Sequence, residues 1–317
     1  MKRLVPAVLA FVALAAACSS TARQGVFNDS VAEAGVPTED GGVTPPVEDA
    51  NLFGFDGNLP DSAPVDECRK MDIVFVVDDS GSMSGAQAKL KANFPLMVNA
   101  LNNFKTKSNA DLDYRLAVTS TDTDTSKTDY PRSKRGGFVS SASCAAGPAR
   151  AWLERTDPNV ADAFGCRAVL GTSGSATERP LEALMLAVTD RTADQNKDFL
   201  REDALLAFFI LTDEEDSSGP NVTPIKLIQK LDVVKKVRGR WAGAVISGQK
   251  AGSCTSGTHT AYEAPLLHEL VVRSEDINTR QNNVIWRSIC QNTFDTAVQD
   301  ALNTFTIACL NIPPLPK

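Results

Sequence analysis

Apolar residues mark out alternating strands and helices from residue 72 to residue 310. "DIVFVV" (72–77) is a continuous apolar run rich in β-branched residues, the pattern of a strand buried on both faces. From Ser84 to Lys105 the period changes. Leu90, Phe94, Met97, Leu101 and Phe104 recur at three- and four-residue steps and form one stripe of a helix, which Pro95 should kink. "DYRLAVTST" (113–121) reads as a second strand. "ERPLEALMLAVTDR" (178–191) puts Leu181, Leu184, Met185 and Val188 on one helix face, with Pro180 in the first turn, where a missing N–H costs little. A buried strand "ALLAFFILT" (204–212) runs into "DEEDSSGP"; an amphipathic helix (223–237) and the strand "RWAGAVIS" (240–247) follow. A helix over 262–274, a short strand over 283–290 and a last helix over 293–310 complete the pattern. Residues 122–175, rich in Ser, Thr, Gly and Asp, read as a surface insertion stapled to itself, with a short hairpin and a helix near 157–164. The alternation predicts an α/β fold: a doubly wound, mostly parallel sheet with helices on both faces and no internal repeat.

The first 67 residues follow a different rule. Lys2 and Arg3 precede an apolar run from Leu4 to Ala17 and then Cys18. A run of about 14 residues is short for a membrane span and suits the core of a signal peptide. "AAAC" (15–18) resembles the lipobox of bacterial lipoproteins, although Ala15 stands where Leu is commoner. That resemblance implies cleavage after residue 17, lipidation of Cys18 and anchoring in a membrane. Ser19, in place of Asp, implies the outer membrane. The alternative is an ordinary secretory signal. Residues 18–67 are rich in Gly, Pro, Ser and acidic residues, and read as a disordered tether below a domain at 68–317. Its Phe53 and Phe55 form an isolated apolar spot, read as incidental. Residues 1–67 carry ten of the 39 acidic and three of the 32 basic residues, so the net charge of −7 belongs to this segment and the domain is formally neutral. A neutral domain gives no reason to expect nucleic-acid binding.

There are seven cysteines: Cys18, Cys68, Cys144, Cys166, Cys254, Cys290 and Cys309. Assigning Cys18 to lipid leaves six, which in an oxidising compartment predict three disulfides among 15 connectivities. No pair has CxxC spacing and the only histidines are His259 and His268, so a structural zinc site is not expected.

In open parallel sheets, ligands bind beyond the carboxyl ends of the strands. Two strands end in carboxylates there: one at "DDSGS" (78–82), the other at Thr212-Asp213. Alternation puts Asp78, Ser80 and Ser82 on a common side, with Asp79 between them. Carboxylate and hydroxyl oxygens without sulfur or imidazole make a hard site, suited to Mg²⁺, Mn²⁺ or Ca²⁺. The structural alternative is a helix N-cap and turn.

"DIVFVVDDSGSMS" and "FFILTDEEDSS" resemble the von Willebrand factor A domain over roughly residues 70 to 310. The Cys before the first strand, the acidic run after the fourth and the closing Cys-Leu resemble secreted or lipid-anchored bacterial members. The resemblance implies a metal-ion-dependent adhesion site at Asp78, Ser80, Ser82 and Asp213, with one coordination position left for an acidic side chain of a partner. The family adds a Thr from a mid-domain loop. Here that position falls on Thr177 or Glu178, and both stay open; Thr172, Ser173 and Ser175 are weaker candidates. Glu214, Glu215 and Asp216 read as a solvated acidic loop, with an accessory Ca²⁺ site as the alternative. Chain termini lie close in this fold, so Cys68–Cys309 would clasp the domain, Cys144–Cys166 would close the insertion, and Cys254–Cys290 would tie a loop to the end of the following strand.

Other chemistries find little support. A dehalogenase-type phosphatase needs a second Asp at position 80, which is Ser. No Gly-x-Ser-x-Gly elbow or Gly-rich phosphate loop is present, and "HEL" at 268 lacks the second His of a zinc protease. His268 reads as an ordinary helix residue, and Trp152, Trp241 and Trp286 as packing residues. The expected function is therefore non-enzymatic: a surface-anchored module that binds a protein or cell-envelope or matrix ligand presenting a carboxylate. The alternative is a structural envelope lipoprotein with the fold but no working metal site.

Overall fold

The computed structural model describes residues 67–124, 135–140 and 147–316. The lipidation candidate Cys18, the signal and tether segments, and Cys144 lie outside the described residues. Strand β1 (Lys70–Val77) is central in a six-stranded sheet, flanked by β2 (Asp113–Ser120) and β4 (Leu205–Leu211). Beyond β4 lie β5 (Trp241–Ser247) and β10 (Val284–Ser288); beyond β2 lies the short β3 (Trp152–Glu154). All neighbours are parallel except β3, which runs antiparallel to β2. The doubly wound α/β expectation therefore holds, with one reversed edge strand.

Both faces of the sheet are covered, which is why its central strands are apolar throughout. One face packs against α1 (Ser84–Asn103), α2 (Val160–Ala168) and α6 (Asp295–Leu310). The other packs against α3 (Pro180–Val188), α4 (Pro224–Lys235) and α5 (Pro265–Arg273). Along β1, Ile73, Phe75 and Val77 point to the first layer, and Val74 and Val76 to the second. Phe75 centres an aromatic cluster with Phe94, Phe164 and Phe209, at ring-centroid distances of 6.5, 4.6 and 5.2 Å. Each such fully buried side chain adds roughly 1.5–3 kcal/mol over its exposed state.

The insertion differs from the sequence expectation. β3 joins the main sheet instead of forming a separate hairpin, and Phe138, Val139, Leu153 and Phe164 are buried in the core layers. Its Ser/Thr-rich composition hid these few apolar anchors. Two small hairpins were also not foreseen: β6 (Cys254–Ser256) with β7 (His259–Ala261), and β8 (Glu275–Asp276) with β9 (Gln281–Asn282). Their strands of two or three residues are too short for any periodicity. Pro95 sits inside α1 without ending it. Trp241 is buried and stacks on Phe208, as expected of a packing residue.

Two of the expected disulfides are present, Cys68–Cys309 and Cys254–Cys290. Cys166 is also disulfide-bonded. Cys68 precedes β1 and Cys309 lies in the last turn of α6, so their bond fastens the two ends of the domain at the amino edge of the sheet. The bond spans 241 residues of chain. Closing so long a loop restricts the unfolded ensemble, by about 5–6 kcal/mol in the chain-entropy account. Replacing both Cys68 and Cys309 by Ala should lower stability by about that amount in guanidinium unfolding, with the fold retained by circular dichroism. A loss under about 1 kcal/mol would contradict the clasp.

Candidate metal centre

β1 and β4 are hydrogen-bonded neighbours, but β1 hands the chain to α1 on one face and β4 to α4 on the other. A crevice opens where the two connections part. Asp78 emerges from β1 and Asp213, one residue past Thr212, from β4. The Asp78 amide still donates to Leu211 O at 2.9 Å, closing the last rung between the strands. Asp78 is fully buried and fixed at both oxygens: Oδ1 accepts from the Ser80 amide and Oδ2 from the Thr212 hydroxyl, each at 2.7 Å. Ser80 and Ser82 stand with their Oγ atoms 3.3 Å apart, Ser80 buried and Ser82 on the rim. Asp213 is buried, and neither of its oxygens receives a hydrogen bond of regular geometry, although the Ser82 hydroxyl is close enough to lower its pKa.

The mid-domain loop closes the third side. Gln87, in α1, donates to Asp78 O at 2.7 Å and Gly171 O at 2.8 Å, and accepts from the Gly171 amide at 3.1 Å. The Gly174 amide donates to Asp79 O at 2.8 Å, and a Cβ at Gly174 would lie 2.3 Å from Asp79 Oδ1, so only glycine allows the approach. The two candidates at 177 and 178 are placed differently. Thr177 is exposed, whereas Glu178 is 1% exposed and turns inward, where Oε2 accepts from the Thr121 hydroxyl. Its Oε1 is buried with no hydrogen-bond partner. Thr172 and Ser173 are exposed; Ser175 is buried, but its amide donates to Asp122 and its hydroxyl accepts from the Thr177 amide.

Three buried carboxyl groups thus share one crevice. Burial raises the pKa of Asp78 to about 6; the Asp213 charge adds to the rise, and the Ser80 and Thr212 donors oppose it. Burial pushes Glu178 up to about 10, helped by the charges of Asp78, Asp79 and Glu214 and opposed by Thr121. Burial raises Asp213 as well, against the pull of Ser82 and His259. The other end of β1 makes a useful contrast. Asp72, equally buried, meets Arg201 through Nε at 2.8 Å and the backbone amide at 2.7 Å. No Lys or Arg is among the main influences on Asp78, Asp213 or Glu178.

The acidic run after β4 is not a solvated loop. Asp216 is buried; its Oδ1 accepts from the Leu181 amide at 3.0 Å and from the Ser218 hydroxyl at 2.7 Å, while Ser218 Oγ accepts from the Glu182 amide at 3.0 Å. Glu215 Oε2 accepts from the Leu266 amide at 2.7 Å. The loop therefore caps the open amides of α3 and α5, which lack side-chain caps of their own. Glu215 and Asp216 are consumed in this way, and only Glu214 adds its charge to the crevice.

His259, from the β6–β7 hairpin, reaches the same crevice. Its Nδ1 lies 3.2 Å from the backbone carbonyl of Ser82 and its Nε2 lies 3.5 Å from Asp213 Oδ2. The oxygens-only description of the site therefore needs correcting, because an imidazole is present. The contact with Ser82 is to a carbonyl, not the hydroxyl, so no Ser-His-Asp nucleophile forms. His268 is a partly buried helix residue as expected, stacked on Trp286 and 3.3 Å from Gly248 O.

A divalent cation fits these residues. Glu178 Oε1 and both oxygens of Asp213 are buried acceptors that receive no hydrogen bond of regular geometry among the described residues. Among the described residues no three His, Cys, Asp or Glu side chains converge as a cluster that would hold a metal, so any ion here would also draw on the serine hydroxyls.

No family model matches the chain, and no curated protein matches it. Solved structures do. Proximal thread matrix protein 1 from the mussel byssus is 13% identical, with TM-score 0.40, over 76% of this chain and 47% of that one. The present chain thus spans about half the length of that protein. Manganese-loaded TRAP protein of Plasmodium vivax is 11% identical, with TM-score 0.37, over 76% of this chain and 74% of that one. The pilus adhesin SpaC of Lactobacillus rhamnosus GG is 14% identical, with TM-score 0.35, over 76% of this chain and 30% of that one. Among the described residues no helix is long and apolar enough to cross a membrane.

A carboxyl group whose pKa is raised by folding stabilises the fold fully below its unfolded pKa of about 4. That contribution is lost as pH rises through the folded value. In EDTA, the domain should therefore lose stability from about pH 4 up to about 6 on account of Asp78, and further up to about 10 on account of Glu178, because in each window the unfolded group is ionised and the folded one is not. Melting temperatures at pH 5, 7 and 9 check this; a profile that rises with pH would contradict it.

Proposed function

We propose that residues 68–317 are a von Willebrand factor A-type binding module that recognises a partner through a divalent cation held at the β1/β4 crevice. The observation that carries the reading is Asp213, whose buried carboxylate has no regular hydrogen bond and, among the described residues, faces His259 and the Ser82 hydroxyl with no Lys or Arg among its main influences. Asp213, Ser80, Ser82 and Glu178 would hold the ion, with Asp78 orienting Ser80 through its amide. Such an ion, when bound, offers a Lewis-acidic position to a carboxylate of the partner. These oxygen ligands, taken by themselves, suit Mg²⁺, with Mn²⁺ and Ca²⁺ as the alternatives. The chain's lipobox-like "AAAC" and acidic tether support display on a bacterial outer membrane, with protein, envelope or matrix material as the partner. The reading is one of binding and not of catalysis.

Glu178 favours a second reading. A carboxylate at the place of the family's Thr gives the crevice three negative charges against two on the ion. That arrangement holds the metal more strongly and blunts its attraction for an incoming acid, as a purely structural envelope lipoprotein would require.

Two measurements separate the readings. Binding of the purified domain to isolated envelope and matrix proteins should disappear in EDTA and in Asp213→Ala, while the circular dichroism spectrum survives; unchanged binding in either case sinks the adhesive reading. Glu178→Gln should weaken Mg²⁺ binding about tenfold or more, some 1.4 kcal/mol per decade. It should also remove proton release on metal binding, read by calorimetry in buffers of different ionisation enthalpy. Equal affinity and equal proton release in the variant would exclude Glu178 from the shell.

A further inference from the structure

Resting on that reading of the crevice, we infer that His259 can stand in for Glu178 as a ligand, a nitrogen beside Asp213 and the Ser80 and Ser82 hydroxyls, so that the site prefers a borderline metal such as Zn²⁺ over Mg²⁺.

The tautomer follows from the contacts. Nδ1 faces the Ser82 carbonyl at 3.2 Å, and a carbonyl oxygen only accepts, so Nδ1 carries the proton. In the neutral ring this leaves the Nε2 lone pair aimed into the crevice, where the atom is buried with no hydrogen-bond partner. Nε2 stands 3.5 Å from Asp213 Oδ2, close enough for an ion pair when the ring is protonated, and Oδ2 is itself buried without a hydrogen bond of regular geometry. Two ligands bound at about 2.0–2.2 Å to one tetrahedral ion are separated by about 3.3–3.6 Å, so the two atoms already stand at a ligand edge. Anchoring one ring nitrogen on a backbone carbonyl and presenting the other is how ligating histidines are commonly held.

The ring is also built in. His259 begins the second strand of the hairpin in which Cys254 pairs with Ala261 and Ser256 with His259. The Cys254–Cys290 disulfide ties that hairpin to the end of β10. Lys89 of α1 donates to Ser256 Oγ at 3.2 Å and Gln291 O at 2.7 Å, and the Tyr262 amide donates to Asp213 O at 2.8 Å. The hairpin is thereby fixed to α1, β4 and β10 at once. A strongly hydrated ion such as Mg²⁺ gains little from one imidazole, whereas Zn²⁺, Co²⁺ and Ni²⁺ gain much.

The test uses the purified oxidised protein, titrated calorimetrically with Zn²⁺ and Mg²⁺. Zn²⁺ should bind at least tenfold more tightly than Mg²⁺. His259→Ala should weaken Zn²⁺ at least tenfold and leave Mg²⁺ within threefold. Independently, ¹⁵N spectra of the two histidines should show Zn²⁺ shifting Nε2 of His259 and leaving His268 unmoved. Unchanged Zn²⁺ affinity in His259→Ala, or no Nε2 shift, overturns the inference. Asp213→Ala is the control for the underlying reading: if it still binds both ions, the crevice itself is not the site and both proposals fall. If it loses both ions while His259→Ala loses neither, only the histidine's role is refuted.

Discussion

Carboxyl groups buried with few protein donors govern the carboxyl edge of the sheet. A carboxylate taken from water must find donors, a cation or a proton. Strand β1 carries a buried aspartate at each end, and the two are treated differently. Asp72 has the Arg201 guanidinium and a backbone amide. Asp78 has an amide and a hydroxyl, and faces Asp213 and Glu178, which have fewer donors still. One strand thus has a finished ion pair at its start and an unfinished one at its end. Burial lifts the pKa of the carboxyl groups in the second set above the ordinary range, so each holds its proton to higher pH than an exposed carboxyl would.

The surroundings of the crevice keep it from collapsing around a local cation. Gln87 locks the mid-domain loop to the start of α1, and Gly174 lets it press on Asp79. The acidic loop after β4 spends Glu215 and Asp216 on the amides of α5 and α3, so two helices are fixed by the segment that also delivers Asp213. Position and charge are therefore set by the same few residues. The Cys254–Cys290 bond holds the β6–β7 hairpin over the rim, while Cys68–Cys309 does its work at the amino edge, remote from this chemistry.

The main sheet was legible because strands buried on both faces must be apolar, and "DIVFVV" and "LLAFFIL" are. Asp78, Ser80, Ser82 and Asp213 were legible because they directly follow such strands. Gln87 left a trace that was passed over: it stands in register with Leu90, Phe94 and Met97, and a polar residue on a buried stripe needs a partner. Thr121 and Thr212 are indistinguishable from any strand-ending Thr until the neighbouring carboxylates are placed. His259 was illegible for a different reason. Its hairpin is held by a disulfide and by side-chain contacts from α1, and neither leaves a periodic signal. The acidic run was misread as solvated because composition does not reveal that distant helices, starting at Pro180 and Pro265, lack caps of their own.

Glu178 carries the remaining question of function in its protonation. As a neutral acid it is an uncharged oxygen ligand, and an ion held by Asp213 with Asp78 nearby would keep its full pull on a partner's carboxylate. As an anion it makes the set three to two, and the incoming carboxylate meets net negative charge. The Thr121 hydroxyl favours the anion and burial favours the acid, and burial is the larger effect. A divalent ion reverses that balance, because its field acts on Glu178 at close range in a medium of low dielectric. Binding metal and attracting an acidic partner are therefore opposed through one residue. An adhesive role requires that Glu178 keep its proton, or withdraw from the shell, when the partner arrives. A structural role requires only that it does not.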